Sequence, residues 1–94
     1  MRLKWSQAAI RDLQEIRGFI AQERPMAAQR VAQRILQVVR NLEQFPRMGR
    51  PGRVEGTREL VVGGTPYLVP YRVQGEAVEL LRILHGARRW PERF

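Results

Sequence analysis

The chain contains no cysteine, so it has neither a disulfide nor a thiolate metal site, and nothing in it calls for an oxidising compartment. Histidine is almost missing as well. His85 stands alone, which argues against a zinc centre, and no cofactor or metal is expected. Lysine is reduced to Lys4 among seventeen basic residues. No stretch approaches the ~20 apolar residues of a membrane span, and the opening Met1-Arg2-Leu3-Lys4-Trp5-Ser6 carries no apolar run of signal-peptide length. A soluble, cytoplasmic protein without a membrane partner is the expectation. A phosphate-cradling glycine loop before a helix, a metal-ligand cluster and a nucleophile elbow are absent too, which removes the commonest enzyme motifs.

What the chain has is positive charge, carried almost entirely by guanidinium. Formal net charge is +8 and the pI is about 11.5 in 94 residues, a length that supports one core and hence one domain spanning 1–94. A codon bias toward arginine would account for the Arg/Lys ratio but not for the excess of basic over acidic residues. The planar fork of arginine pairs bidentately with carboxylates and phosphates, so an acidic protein or a nucleic acid is the implied partner.

Two halves are legible. Arg2 to Trp5 alternates basic and apolar residues as a short strand, and Ser6 stands where a helix N-cap would. Ala9, Ile10, Leu13, Ile16 and Ile20 then recur at three- and four-residue spacing, which predicts an amphipathic helix of about four turns. Pro25 opens a second helix whose stripe is Ala28, Val31, Ile35, Val38, Val39, Leu42 and Phe45, stopped by Pro46. The short link from Gln22 to Arg24 makes an antiparallel helical hairpin of the two.

Past Pro46 the character changes to a basic loop, then three strand candidates: Arg58 to Val62, Tyr67 to Val73 and Ala77 to Leu84. Gly63-Gly64-Thr65-Pro66 and Gln74-Gly75-Glu76 separate them as turns. The order β-α-α-β-β-β predicts an α+β domain, a helical hairpin on a small, mainly antiparallel sheet. Pro70 denies a ladder donor in mid-strand, which calls for a bulge or an outward-facing nitrogen there.

Two basic groups could carry function. One is the loop set Arg47, Arg50, Arg53 and Arg58; the other is the C-terminal set Arg82, Arg88, Arg89 and Arg93 with His85 and Trp90. If the meander forms, both could reach one edge of the sheet, with Tyr67 or Tyr71 nearby. Such a surface attracts phosphates, and His85 could move a proton there. The plainer alternatives are a solvated charged face, a histidine that caps a strand end, and Trp90 with Pro91 packing the tail onto the domain.

Five segments taken in order resemble the RelE/ParE superfamily of bacterial toxins. They are Leu3-Lys4-Trp5-Ser6 with Ala9, Asp12, Leu13 and Ile16; Phe45-Pro46 with Met48-Gly49-Arg50; Gly56 to Val62; Pro66 to Val73; and His85-Gly86-Ala87-Arg88-Arg89-Trp90-Pro91. The resemblance implies the toxin of a type II toxin–antitoxin pair, neutralised by an acidic antitoxin within a hetero-oligomer. It implies one of two activities: RelE-like members cut messenger RNA in the ribosome, and ParE-like members poison DNA gyrase.

RelE-like nucleases carry basic residues along the strand corresponding to Arg58 to Val62 and an arginine opening the next one. In this chain the matching positions hold Glu59, Val61 and Leu68. Arg88 matches a nuclease arginine that follows a glycine, whereas Phe94 falls where a tyrosine would be wanted. The expectation is therefore a ParE-like gyrase inhibitor whose target surface is Arg82, His85, Arg88, Arg89 and Trp90. The alternatives are a ribosome-dependent endonuclease using His85 and Arg88, and a non-toxic, toxin-derived binding module. For the antitoxin, the pattern predicts a groove between the two helices' apolar faces and the sheet, rimmed by arginines.

Overall fold

The computed structural model describes residues 1–94. Strand β1 (Arg2–Trp5) leads into helix α1 (Gln7–Ala21), and Pro25 opens α2 (Pro25–Arg40), which tightens into a 3-10 turn at Asn41–Glu43. Strands β2 (Arg50–Pro51), β3 (Arg58–Val61), β4 (Tyr67–Gln74), β5 (Ala77–Leu80) and β6 (Leu84–His85) complete the chain. The sheet order is β1-β5-β4-β3-β2, with β6 also on β4. Every pairing is antiparallel except β1 with β5, which is parallel. The α+β layout agrees with the sequence pattern, with an additional two-residue strand at Arg50 and the last strand divided in two.

The hairpin covers one face of this sheet. Ala9 from α1 and Ile35, Val38, Val39 and Leu42 from α2 and its turn meet Leu60, Val62, Val69, Tyr71, Val78, Leu80 and Ile83 in one buried cluster. Large side chains buried in this way contribute about 1.5–3 kcal/mol each. Two members of the predicted stripes are exposed instead. Ile10 is 43% exposed, and Phe45 is 61% exposed because α2 gives way to the 3-10 turn five residues earlier and rotates it outward.

Division of the last strand follows from Pro70. Between the pairs Leu68↔Leu84 and Tyr71↔Leu80, β4 runs through Val69 and Pro70 while the facing strand runs through Leu81, Arg82 and Ile83. That extra residue is a bulge. Leu81 N–H donates to the Pro70 carbonyl at 2.9 Å, but the return bond would need an N–H that proline lacks. Leu81 carbonyl instead accepts the Ser6 hydroxyl at 2.9 Å.

Ser6 thus has two partners. Its oxygen caps α1 by accepting Ala9 N–H at 3.0 Å, and its proton goes to the bulge. Asp12, two turns into α1, holds the other side: its Oδ2 accepts Ile83 N–H at 2.9 Å and Arg82 Nε at 2.7 Å, and its Oδ1 accepts a terminal nitrogen of Arg82 at 3.1 Å.

Replacing Ser6 by alanine removes the helix cap and leaves Leu81 carbonyl without its partner, so a loss of about 2 kcal/mol is expected. Urea unfolding measures it; a change within a few tenths of a kcal/mol would show that the bulge is not held through Ser6.

Candidate functional site

The two basic groups of the sequence are pulled apart by their partners. Directly opposed residues share a face of a sheet, so Glu59↔Pro70, Val61↔Leu68 and Leu68↔Leu84 place Glu59, Val61, Leu68 and Leu84 together on the face away from the helices. Glu59 is only 2% exposed there. A buried carboxylate needs donors, and the basic loop supplies them: Arg53 N–H at 2.8 Å and an Arg50 terminal nitrogen at 3.3 Å, with the Arg53 guanidinium adding an ion pair at 3.7 Å. Arg50 and Arg53 are thereby committed to a structural anion.

Arg53 reaches further. Its guanidinium carbon lies 3.8 Å from the centre of the Trp90 ring, a cation–π contact, and Trp90 Nε1 donates to the His85 carbonyl at 3.1 Å. The tail is fastened to the basic loop at this point, so Arg53 and Trp90 do come together, while Arg47 and Arg58 lie elsewhere.

Tyr71 fixes the base of the same loop. Its hydroxyl donates to the Pro46 carbonyl at 2.7 Å and accepts Gly49 N–H at 2.9 Å, and a Cβ on Gly49 would lie only 2.6 Å from the Tyr71 ring. Glycine at 49 is therefore a packing requirement. Arg58 adds a bond from its guanidinium to the Gly49 carbonyl at 2.7 Å. Burial raises the Tyr71 phenol above its ordinary pKa, opposed in part by the bond from Gly49 and by the charge on Arg58.

The C-terminal residues form a cleft of about 420 Å³ against α1, lined by Ile16, Phe19, Tyr67, His85, Arg88 and Trp90 among others. His85 faces Tyr67 edge to face with ring centres 5.8 Å apart, on the helix-bearing side of the sheet. Its Nδ1 accepts Ala87 N–H at 3.1 Å, so the ring caps the turn that starts the tail. Arg88 and Arg89 are exposed at the rim, and Phe19 beside them is 67% exposed. Arg82 is different from its expected neighbours: it is held bidentately by Asp12, whose hydrogen bond raises its pKa. Nothing in the local pattern announces that pair, which joins positions 12 and 82 across the bulge.

A third surface runs along α2. One cleft, about 500 Å³, lies between α2 and β1 and contains Leu3, Trp5, Leu36, Val39 and Arg40; a second, about 480 Å³, contains Arg30, Arg34 and Gly63, and Gln33 and Gln37 line both. This groove has an apolar floor and an arginine rim as expected, but α1 takes no part in it. The helix carries Arg30, Arg34 and Arg40 and no acidic residue. Arg30 and Arg34 are one turn apart, a like-charged pair that destabilises an isolated helix.

Comparison with known proteins agrees with this architecture. A sequence model described as the ParE toxin of type II toxin–antitoxin system, parDE, matches residues 3–90. Y4kP of Sinorhizobium fredii, which carries a toxin designation, is 43% identical over 91 residues, covering 97% of this chain and 94% of its own. Toxin RelE2 of Caulobacter vibrioides is 40% identical over 84 residues, covering 89% of this chain and 93% of its own. A solved structure titled as the chromosomal ParDE TA system from P. aeruginosa superposes with a TM-score of 0.83 at 35% identity, over 88% of this chain and 92% of that one.

The raised phenol of Tyr71 gives a pH test of the loop anchor. A folded state that keeps a proton which the unfolded chain releases loses stability as pH rises from about 10 upward. In urea titrations Tyr71→Phe is expected to be less stable at neutral pH and to show a shallower alkaline decline. An unchanged alkaline slope would mean that the phenol is not buried in solution.

Proposed function

This chain belongs to the ParE toxin family of type II toxin–antitoxin systems, and we propose that it acts by binding DNA gyrase and is neutralised by an acidic antitoxin. The observation that carries the gyrase reading is the helix-free face of the sheet. Where a RelE-like nuclease would hold and stabilise a scissile phosphate, this face presents the buried Glu59 carboxylate flanked by Val61 and Leu68. Its two neighbouring guanidiniums are spent on that carboxylate. Phosphoryl-transfer chemistry needs positive charge free to meet the developing negative charge, and none is free at Glu59.

A binding toxin needs instead an exposed surface of mixed character. The tail cleft has it: Phe19 and Trp90 give aromatic area, and Arg88 and Arg89 give charge at the rim. Aromatic and arginine side chains dominate the energetics of protein interfaces. Arg82 supports this surface from beneath through Asp12 and is not part of the contact.

The α2 groove suits the antitoxin. An acidic amphipathic segment would set its apolar side on Leu3, Trp5 and Leu36 and its carboxylates against Arg30, Arg34 and Arg40. Such binding would relieve the crowding of like charges along α2 and would weaken with salt.

Two measurements test these assignments. Purified gyrase should lose supercoiling activity in the presence of the toxin, and Arg88→Glu with Arg89→Glu should restore it by about tenfold or more in toxin concentration. Full supercoiling at a large molar excess of the unaltered toxin would end the gyrase reading, and ribosome-dependent cuts in primer extension would replace it with messenger RNA cleavage, for which His85 and Arg88 at least share a cleft. For the antitoxin, Leu36→Asp puts a carboxylate on the groove floor and is expected to weaken the complex by about tenfold or more by calorimetry. Unaltered affinity would place the antitoxin elsewhere.

A further inference from the structure

The loop arginines that Glu59 does not claim lead to a separate site. Arg47 and Arg58 line a cleft of about 450 Å³ that a third arginine, Arg72 of β4, also lines. The cleft also contains Gly56, Thr57 and Gly75, and no carboxylate lines it. Gly56 and Gly75 have φ of 80° and 57°, so both turns are made by residues without side chains, and the space beside each is open. No side chain closes the cleft at either turn.

The three arginines differ in what holds them. Arg58 spends one terminal nitrogen on the carbonyls of Gly49 and Arg47, at 2.7 and 3.3 Å, which positions the group and leaves its charge uncompensated. Arg72 forms an ion pair with Glu79 at 3.8 Å from Nε, too long for a hydrogen bond, and that buried Nε makes no hydrogen bond. Arg47 is exposed at the mouth. Glu79 pairs with Arg72, and Glu55 and Glu76 adjoin the lining residues Gly56 and Gly75 in the chain without lining the cleft themselves.

We infer that this cleft binds the phosphodiester backbone of a nucleic acid. The forks of arginine match phosphate oxygens bidentately, and the only apolar side chains at hand are Val73 and Pro51. An acidic amphipathic peptide would find no floor here of the kind that Leu3, Trp5 and Leu36 make beneath α2. The net charge of +8 draws a polyanion toward the molecule, and the cleft gives its backbone a fixed seat. The inference stands apart from the gyrase reading, since it concerns nucleic acid alone.

Fluorescence anisotropy of the purified protein with labelled DNA duplex, DNA single strand and RNA of mixed sequence, over a range of salt, tests it. Arg72→Gln and Arg47→Gln should each weaken binding about three- to tenfold whatever the sequence, and reduce the salt slope by about one contact. Arg24→Gln, an exposed arginine at the hairpin turn, serves as the reference for loss of net charge alone. Because the Arg47 side chain is exposed, its variant remains folded, and thermal unfolding checks Arg72→Gln. The inference fails if both variants bind like the unaltered protein, or lose no more than Arg24→Gln. It fails equally if inorganic phosphate or polyglutamate displaces the labelled strand as well as unlabelled DNA does at equal charge; the former marks a free-anion site and the latter a peptide site.

Discussion

One missing hydrogen on Pro70 organises much of this molecule. A proline in mid-strand removes a ladder donor, and the facing strand answers with an extra residue between Leu80 and Leu84. A bulge leaves backbone groups unpaired, and burying them without partners would cost about 1–3 kcal/mol each. Here Leu81 carbonyl goes to Ser6 and Ile83 N–H to Asp12, both from the helix that crosses the sheet. The helix is consequently bonded to the sheet as well as packed on it. Because the bulge shifts the register by one, it also decides which side chains of the last strand face the helices, and so brings Ile83 into the core and His85 opposite Tyr67.

Glu59 imposes the second constraint. Buried beside Pro70 on the other face, it must be met by donors, and the glycine- and proline-rich loop before β3 folds back to supply them. That loop in turn stacks Arg53 on Trp90 and thereby ties the tail to the sheet. An acidic residue buried in this strand thus sets the electrostatic role of that face. The positive charge is drawn inward to neutralise a carboxylate, and what the tail presents to solvent is carried by Arg88, Arg89 and the aromatic rings around them.

Much of this could be read from the sequence because it depends on local period. The stripes of α1 and α2, Ser6 as a cap, Pro25 at a helix start and the glycine turns all arise within a few residues of chain, and each appears in the fold. Pro70 was likewise readable as a defect in the ladder. What it does to the other strand was not, since the division of Ala77 to Leu84 depends on which residue faces the proline. The parallel seat of β1 against β5 brings together positions about as far apart as the chain allows, and no periodicity encodes it. The same holds for Asp12 and Arg82 and for Arg53 and Trp90. Sequence reasoning grouped arginines by proximity along the chain, whereas the fold groups them by the acid each one meets.

That regrouping bears on how so small a domain can serve several partners. Three surfaces carry exposed or partly exposed arginines, and each differs in what accompanies the charge: aromatic rings at the tail cleft, the apolar floor of Leu3, Trp5 and Leu36 beneath α2, and glycine backbone around Arg47, Arg58 and Arg72. Charge alone attracts any polyanion and discriminates poorly; the neighbouring groups determine which one remains bound. Apolar floor selects an amphipathic segment, aromatic area a folded protein surface, and bare backbone a phosphate that needs close approach. The acidic residues sharpen the separation, because Glu59 and Asp12 pair with Arg50, Arg53 and Arg82 and so reduce the uncompensated charge between the three surfaces.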